Sequence, residues 1–352
     1  MSAAAPKVSS CRITPARVLI VLLVIESVLW LSDRLQWFAF NRHKGFTLLI
    51  AVASVGLAML VMFLWFLGTL LTRRRLKCSI RCLLLVALVV AIPATWWAMA
   101  REASMGQREA VEQIHQAGGL VVGYDFNHPF GFVIAPPAGP RWLRRMLGDD
   151  LFANVTRVDL SRSEISDAGL EALKGLPHLW DLVLHDTAVT DAGLEHLKGL
   201  THLSSLILDG TKVSDVGLRH LQGLTDLKCL SLDRTRVTDA GLEDLKGLAH
   251  LLALHLDETK VTDTGLQHLQ GLTDLEILSL RVTTVGDAGL EHLKGMRRLR
   301  KLLLAGTNVS DVGLEHLKGL TELRLLYLGG TNVTQAGAKN LQRTLPDCEI
   351  RL

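Results

Sequence analysis

The sequence predicts an α/β protein in which a right-handed, horseshoe-shaped repeat solenoid follows a helical transmembrane region. A 24-residue unit recurs eight times without a break from about Val155 to Thr344, and a fixed period of this length is the signature of a solenoid. Three apolar stretches precede the repeats, as expected of membrane helices. The expected domains are a membrane region (residues 1–100), a connector with an N-terminal cap (101–154) and the repeat domain with a C-terminal strand (155–352).

The apolar stretches differ in how well they fit a membrane span. Residues 46–71 carry no charged side chain, and residues 82–100 lie between Arg81 and Arg101. Both are long enough to cross a bilayer as helices. Residues 16–31 are shorter and include an acidic residue, so they form either a third span or an interfacial helix. We therefore expect two or three helices to anchor the chain in the lipid bilayer.

The distribution of charge predicts an orientation and excludes one class of partner. Four basic residues at 73–77 and Arg81 lie between the second and third stretches, and short loops rich in Lys and Arg stay in the cytoplasm. The repeats would then lie outside it, as an extracytoplasmic domain. Residues 1–100 carry a net charge of +9 and residues 101–352 a net charge of −6. The acidic repeat half argues against nucleic-acid binding, which needs clustered basic side chains.

The connector is expected to close the first open end of the repeat core, because a solenoid needs a cap there. Residues 101–116 are predicted to be helical, as a continuation of the third apolar stretch, and the helix should end at Gly118. A short strand is expected over residues 120–124. A short amphipathic helix is expected over residues 141–147.

Each repeat is predicted to form one strand and one short helix. Leu206 and Leu208 alternate with polar or outward residues, which is the period of a strand with one buried face. Thr190, followed by aspartate, is a helix N-cap signal. Gly199 is expected to end the helix in a left-handed conformation, whereas the glycine series that includes Gly193 is expected to allow close approach between stacked repeats.

The repeat resembles a leucine-rich repeat of the ribonuclease-inhibitor-like or cysteine-containing type. Thr211, Thr235 and Thr259 stand where that family often has Asn or Cys. The layout of the chain also resembles membrane-anchored leucine-rich repeat proteins of planctomycete bacteria, through residues 108–111 and 142–150. These resemblances imply the horseshoe fold and an integral membrane protein of a bacterial inner membrane with an extracytoplasmic repeat domain.

The alternation of inward leucines identifies the side chains of the concave sheet face. We expect an acidic row at its centre, an apolar region at its C-terminal end, and a histidine and two basic residues beside them. The candidate partner-binding residues are Asp209, Asp233, Asp257, His255, Arg281, Lys301, Leu303, Leu325 and Tyr327. Exposed apolar side chains on a concave face usually mark interaction. The leading hypothesis is therefore a non-enzymatic module that binds a protein or peptide, with an apolar anchor at Tyr327; the alternative is a solvated face that binds nothing.

Two other functions were considered. An F-box-like ligase adaptor would match the solenoid but conflicts with the expected membrane helices. A hydrolase could use Cys229 and His255, which share the concave face, but no oxyanion loop accompanies them. We expect no cofactor and no metal, since successive helices lie about 8–10 Å apart and cannot easily share one ion. That argument applies to the histidines that recur at one helical position: His196, His220, His268, His292 and His316.

Overall fold

The computed structural model describes residues 80–124 and 154–352. The expected helices at residues 16–31, 46–71 and 141–147 lie outside the described residues. Of the described residues, 80–105 belong to one compact unit, and 106–124 together with 154–352 belong to a second unit that contains the repeats.

Helix α1 runs from Ile80 to Gln116. The predicted helix over residues 101–116 is therefore confirmed, and it is continuous with residues that precede it. Within the described part of the chain, no helix has the length and apolar character needed to cross a membrane.

The second compact unit, which contains the repeats, is built on one ten-stranded sheet. The strands are arranged in space in the order of the sequence, from β1 to β10. Strand β1 (Leu120–Tyr124) is antiparallel to β2, and all later neighbours are parallel. The remaining strands are β2 (Val155–Asp159), β3 (Asp181–Val183), β4 (Ser205–Ile207), β5 (Cys229–Ser231), β6 (Ala253–His255), β7 (Ile277–Ser279), β8 (Lys301–Leu303), β9 (Leu325–Tyr327) and β10 (Glu349–Arg351). Equivalent residues of β2 to β9 pair at a constant offset of one repeat, as Leu206 does with Leu230.

Short helical turns form the other side of each repeat. Their α-helical parts are α2 (Asp191–Leu194), α3 (Asp215–Leu218), α4 (Asp239–Leu242), α5 (Asp263–Leu266), α6 (Asp287–Glu291), α7 (Asp311–Leu314) and the longer α8 (Gln335–Thr344). A 3-10 turn follows α2 to α5 and α7, and the first repeat has only a 3-10 helix, Asp167–Gly175. These turns leave room for a leucine core between the helices and the sheet. Leu206, Leu208 and Leu230 are fully buried there, which confirms the predicted strand register.

The end of α1 and strand β1 cover the first repeat. Ile114 is fully buried against the repeat core. The buried Gln107 side chain accepts a hydrogen bond from the Val155 amide through its Oε1 at 3.1 Å. Gly119 comes so close to Leu160 that a Cβ atom would overlap its side chain. The predicted strand over residues 120–124 is confirmed.

The left-handed backbone position of each repeat lies after the strand, so the expectation for Gly199 is wrong. The residues with positive φ recur every 24 positions, and five of them are not glycine. They are Arg162, Asp186, Gly210, Arg234, Glu258, Val282, Gly306 and Gly330. The sharp change of direction occurs where the strand ends, while the helical turn continues into the next loop with ordinary φ values.

A ladder of aspartates links each repeat to the next. Asp191 Oδ1 accepts the Ser214 amide at 2.7 Å and its Oδ2 accepts the Ser214 hydroxyl at 2.6 Å. The same two hydrogen bonds, from an amide and from a hydroxyl, recur in the pairs Asp167–Thr190, Asp215–Thr238, Asp239–Thr262, Asp287–Ser310 and Asp311–Thr334. Between Asp263 and Gly286 only the hydrogen bond from the Gly286 amide to Asp263 Oδ1 is present, at 2.6 Å, because glycine has no hydroxyl.

The glycines at the helix starts make room for this ladder. A Cβ atom at Gly193 would lie 2.5 Å from Asp167 Oδ1 and 2.9 Å from Leu170 Cδ1, both in the preceding repeat. The predicted close approach between repeats is confirmed, with a carboxylate as its main partner. The predicted N-cap role of Thr190 is also confirmed, because its hydroxyl accepts the Ala192 amide at 3.4 Å.

Candidate functional site

The candidate site is the open sheet face, which we define as the face of β2–β9 turned away from the leucine core. Each repeat presents three side chains on it, at alternate positions along and just beyond the strand. The middle row, for example, runs through Ile207, Ser231, His255, Ser279, Leu303 and Tyr327, which pair in register across β4 to β9. Since neighbouring strands lie about 4.8 Å apart, side chains in one row contact their equivalents in the next repeat.

The three aspartates of the predicted acidic row lie side by side on this face. Each one directs Oδ1 towards the backbone of the next repeat. Asp209 accepts the Asp233 amide at 3.2 Å, Asp233 accepts the Asp257 amide at 2.7 Å, and Asp257 accepts the Arg281 amide at 2.8 Å. The acidic row is therefore also a second inter-repeat ladder, a role that the sequence did not indicate.

The electrostatic environment of Asp233 differs from that of an ordinary surface aspartate. The pKa of Asp233 is raised to about 7, chiefly because the side chain is partly buried and in part because the carboxylates of Asp257 and Asp209 lie nearby. The Asp257 amide and Arg234 act in the opposite direction. An ionised carboxylate in a partly desolvated site is destabilised unless a cation approaches it. The centre of the open sheet face is thus a place where a positive group would be stabilised.

Two serines of the middle row are less accessible than their outward position suggested. Ser231 and Ser279 are only 4% and 0% exposed. Each hydroxyl donates a short hydrogen bond to the aspartate of the preceding repeat, Asp209 or Asp257 respectively. Ser231 and Ser279 therefore lie on the open sheet face but offer almost no surface to a partner.

The C-terminal end of the open sheet face is apolar. Leu303 is paired with Tyr327, and Lys301 with Leu325, across β8 and β9. We call Ile277, Leu303, Leu325 and Tyr327 the apolar patch; all four are half-buried. Ile277 was absent from the predicted site residues, although its outward position follows from the same alternation.

Arg281 joins the acidic row to the apolar patch. Its Nε lies 3.8 Å from Asp257 Oδ2, and its guanidinium carbon lies 5.5 Å from the centre of the Tyr327 ring. The ring also lies against Gly329, where a Cβ atom would come within 3.3 Å of Tyr327 Cζ and Oη. The Tyr327 ring therefore lies close to the sheet, because it makes a cation–π contact with Arg281 and packs over Gly329, which has no side chain.

Cys229 and His255 lie near each other on the open sheet face. Cys229 is paired with Ala253, and His255 with Ser231, so the two residues are diagonal neighbours. Burial raises the pKa of the Cys229 thiol, and the carboxylates of Asp181 and Asp209 raise it further. Burial lowers the pKa of His255. A thiol held in its protonated form is a poor nucleophile, so these surroundings do not favour activation of Cys229.

The recurring histidines lie on the helical side of the repeats and are partly exposed. Within the described residues, no group of three or more His, Cys, Asp or Glu side chains is arranged to hold a metal ion. Instead, His268 and His316 lie near Glu243 and Glu291, and their positive charge contributes to lowering the pKa of those glutamates, after the neighbouring lysines. The described part of the helical side therefore shows exposed charge pairs.

Comparisons with known proteins give the following matches. Residues 153–174 match a family model described as Leucine Rich repeat. Among solved structures, an internalin C2 from Listeria monocytogenes is 26% identical, with a TM-score of 0.48, over 58% of this chain and 86% of that chain. An internalin of the same organism is 21% identical (TM-score 0.41, 55% of this chain, 57% of that chain). A leucine-rich repeat protein of Leptospira interrogans is 18% identical (TM-score 0.37, 56% and 60%).

No curated protein matches the chain. The family match covers the first repeat, and the same leucine positions and strand pairing recur through the repeats that follow it. Residues 154–352 are thus built from leucine-rich repeats.

Proposed function

We propose that the chain is a non-enzymatic interaction protein that binds an extended protein or peptide segment on the open sheet face. The observation that carries this proposal is that the half-buried apolar patch and the acidic row lie next to each other on one continuous sheet surface. Apolar side chains next to charged groups are the usual composition of a protein interface, with anchors at the centre and polar groups around them.

The proposal includes a membrane anchor and an extracytoplasmic location for the repeats. Its support is the sequence of residues 1–100, with its apolar stretches and the basic loop at residues 73–81. A reporter phosphatase that is active only outside the cytoplasm, fused after Leu352, tests this location. Phosphatase activity is expected; an inactive fusion, together with activity of a cytoplasmic reporter at the same point, would contradict it.

Matched surface variants of the full chain test the binding function. Leu303→Lys places a charge in the apolar patch, whereas Val312→Lys changes an exposed valine on helix α7 of the opposite side, where the side chain is 65% exposed. Proteins captured from envelope extracts by the wild type and by each variant are quantified side by side. We expect a partner that is lost with Leu303→Lys and kept with Val312→Lys. The reverse pattern would place the binding surface on the helical side.

A further inference from the structure

Two carboxylates of the acidic row, those of Asp209 and Asp233, lack an ion pair with a lysine or arginine of the described residues. Among the described residues, no lysine or arginine forms an ion pair with Asp209 or Asp233; the nearest basic group to Asp209 is His185 Nδ1 at 4.0 Å from Oδ2. Arg234, next to Asp233 in sequence, is paired with Asp186 at 3.5 Å. Both Oδ1 atoms are occupied by the backbone amides of the next repeat. A cation that approaches from the open side would therefore meet the Oδ2 atoms.

The third aspartate shows how a guanidinium is accommodated on this surface. Arg281 sits between Asp257 and the ring of Tyr327, at 3.8 Å from Oδ2 and 5.5 Å from the ring centre. Asp209 and Asp233 are held in the same way as Asp257, with Oδ1 bonded to an amide of the next repeat. Neither of them has an arginine in the position that Arg281 takes beside Asp257. A planar guanidinium has five donors in a fixed fork and is less strongly hydrated than an ammonium group, so it suits two neighbouring carboxylates on a partly desolvated surface better than lysine does.

The apolar patch lies on the same face at a distance set by the sheet. From Asp233 at the end of β5 to Leu303 on β8 and Tyr327 on β9 there are three to four strand spacings, or about 14–19 Å at about 4.8 Å each. An extended chain that crosses the strands advances about 3.3 Å per residue. It therefore covers this distance in four to six residues. Lys301, which is exposed beside the patch, disfavours a second basic residue there.

We infer that the partner is an extended segment that places an arginine between Asp209 and Asp233 and an apolar side chain, four to six residues away, on the apolar patch. This inference rests on the proposed function and specifies the chemistry of its partner. The arginine repeats, from outside, the contact that Arg281 makes with Asp257. The apolar side chain covers Leu303 and Leu325 and completes the packing around the Tyr327 ring. The position next to the apolar residue is neutral or acidic because of Lys301.

A random peptide display library selected on the immobilised full chain tests the inference. After counter-selection on the Leu303→Lys variant, we expect enriched sequences that share an arginine and a large apolar residue at a separation of four to six positions. An enriched peptide is then synthesised with arginine and with citrulline, its neutral isostere. The arginine peptide should bind about tenfold more weakly to Asp233→Asn than to the wild type, because one charge-assisted contact is lost.

The control variants separate a local contact from a general effect of charge. Asp226→Asn removes the same charge at a site where the aspartate pairs with His202 at 3.7 Å and is exposed to solvent. It should leave the affinity for the arginine peptide unchanged. The citrulline peptide should bind the wild type and Asp233→Asn equally. Equal losses in Asp233→Asn and Asp226→Asn would overturn the inference.

The outcomes also distinguish the inference from the proposed function. Selected peptides that need Leu303 but share no arginine would overturn the inference and leave the proposed function intact. Peptides that bind the Leu303→Lys variant as well as the wild type would contradict both. A selection that enriches no sequence over the counter-selected variant would also overturn the inference.

Discussion

Replacing Gly286 with serine should stabilise the protein, because it restores the one missing hydroxyl of the inter-repeat ladder. At the six equivalent positions a Ser or Thr hydroxyl donates to an aspartate of the preceding repeat, whereas Gly286 offers only its amide, at 2.6 Å from Asp263 Oδ1. The backbone at Gly286 is extended, with φ −127° and ψ −159°. A Cβ atom there would lie 3.5 Å from Asp263 Oδ2, an ordinary van der Waals contact. Serine therefore fits without strain.

The expected gain can be worked out from three contributions. A hydrogen bond to a carboxylate contributes about 1–1.5 kcal/mol at a partly solvated site. Replacing glycine where the backbone suits other residues contributes about 0.5 kcal/mol through the unfolded state. Ordering the serine side chain costs about 0.5 kcal/mol. The free energy of unfolding should therefore rise by about 1 kcal/mol.

Urea unfolding of the purified full chain, followed by circular dichroism, measures this difference. The matched control is Gly289→Ser, three residues away, where a Cβ atom would lie 2.5 Å from Asp263 Oδ1 and 3.1 Å from Leu266 Cδ1. That variant should lose at least about 2 kcal/mol, because the same aspartate must move and its bonds to the next repeat are disturbed. A Gly286→Ser protein no more stable than the wild type would show that the hydroxyl bonds of the ladder contribute nothing to stability.

Three further predictions use urea unfolding or partner binding as the measurement. Val282→Gly should raise the free energy of unfolding by about 1 kcal/mol, since a β-branched residue at φ 54° is strained; an unchanged midpoint would mean that this turn carries no strain. Ile114→Asp should lower it by about 3 kcal/mol or more by placing a charge in the buried cap, and a loss below 1 kcal/mol would contradict the capping role of α1. Burial and the neighbouring carboxylates raise the pKa of Asp233 to about 7 from its usual 3.8. The folded state therefore binds this proton more tightly than the unfolded state, and its ionisation destabilises the fold as pH rises from about 4 to 7. In Asp233→Asn, the free energy of unfolding should fall by about 2 kcal/mol less than in the wild type between these pH values, a figure reduced because the side chain is partly solvated. Identical pH profiles of the free energy of unfolding in wild type and variant would refute this.

The sequence was most informative where the physical signal is local. The alternation of Leu206 and Leu208 predicted the strand register, because a slip of one residue would expose both leucines. The Thr-Asp pair at Thr190 predicted a helix start, because capping involves neighbouring amides. In both cases the residues that decide the structure lie within a few positions of each other, and the structure confirms the prediction.

Contacts between side chains of different repeats could not be predicted from the sequence. The bonds from Asp167 to Thr190 span 23 positions, and the contact of Arg281 with Tyr327 spans two strands. Neither can be read from a single repeat, because local propensity does not specify which stacked side chains meet. The same limit explains Gly199: glycine is common at helix ends, but in this fold the change of direction lies after the strand, at positions such as Val282.

The two aspartate ladders have different consequences for stability, and the difference bears on function. In the ladder at the helix starts, each carboxylate receives an amide and, except at Asp263, a hydroxyl. Hydrogen bonds to Thr334 lower the pKa of Asp311, so its ionised form is stabilised there. On the open sheet face, Asp233 receives one amide and lies between two other carboxylates, so its charge opposes folding at neutral pH. An asparagine would keep the amide bond through its carbonyl oxygen and remove the repulsion. A charge held where it destabilises the free protein is stabilised once a cation binds to it. For this reason we propose the open sheet face, and not the ladder beside the helices, as the surface for a basic partner.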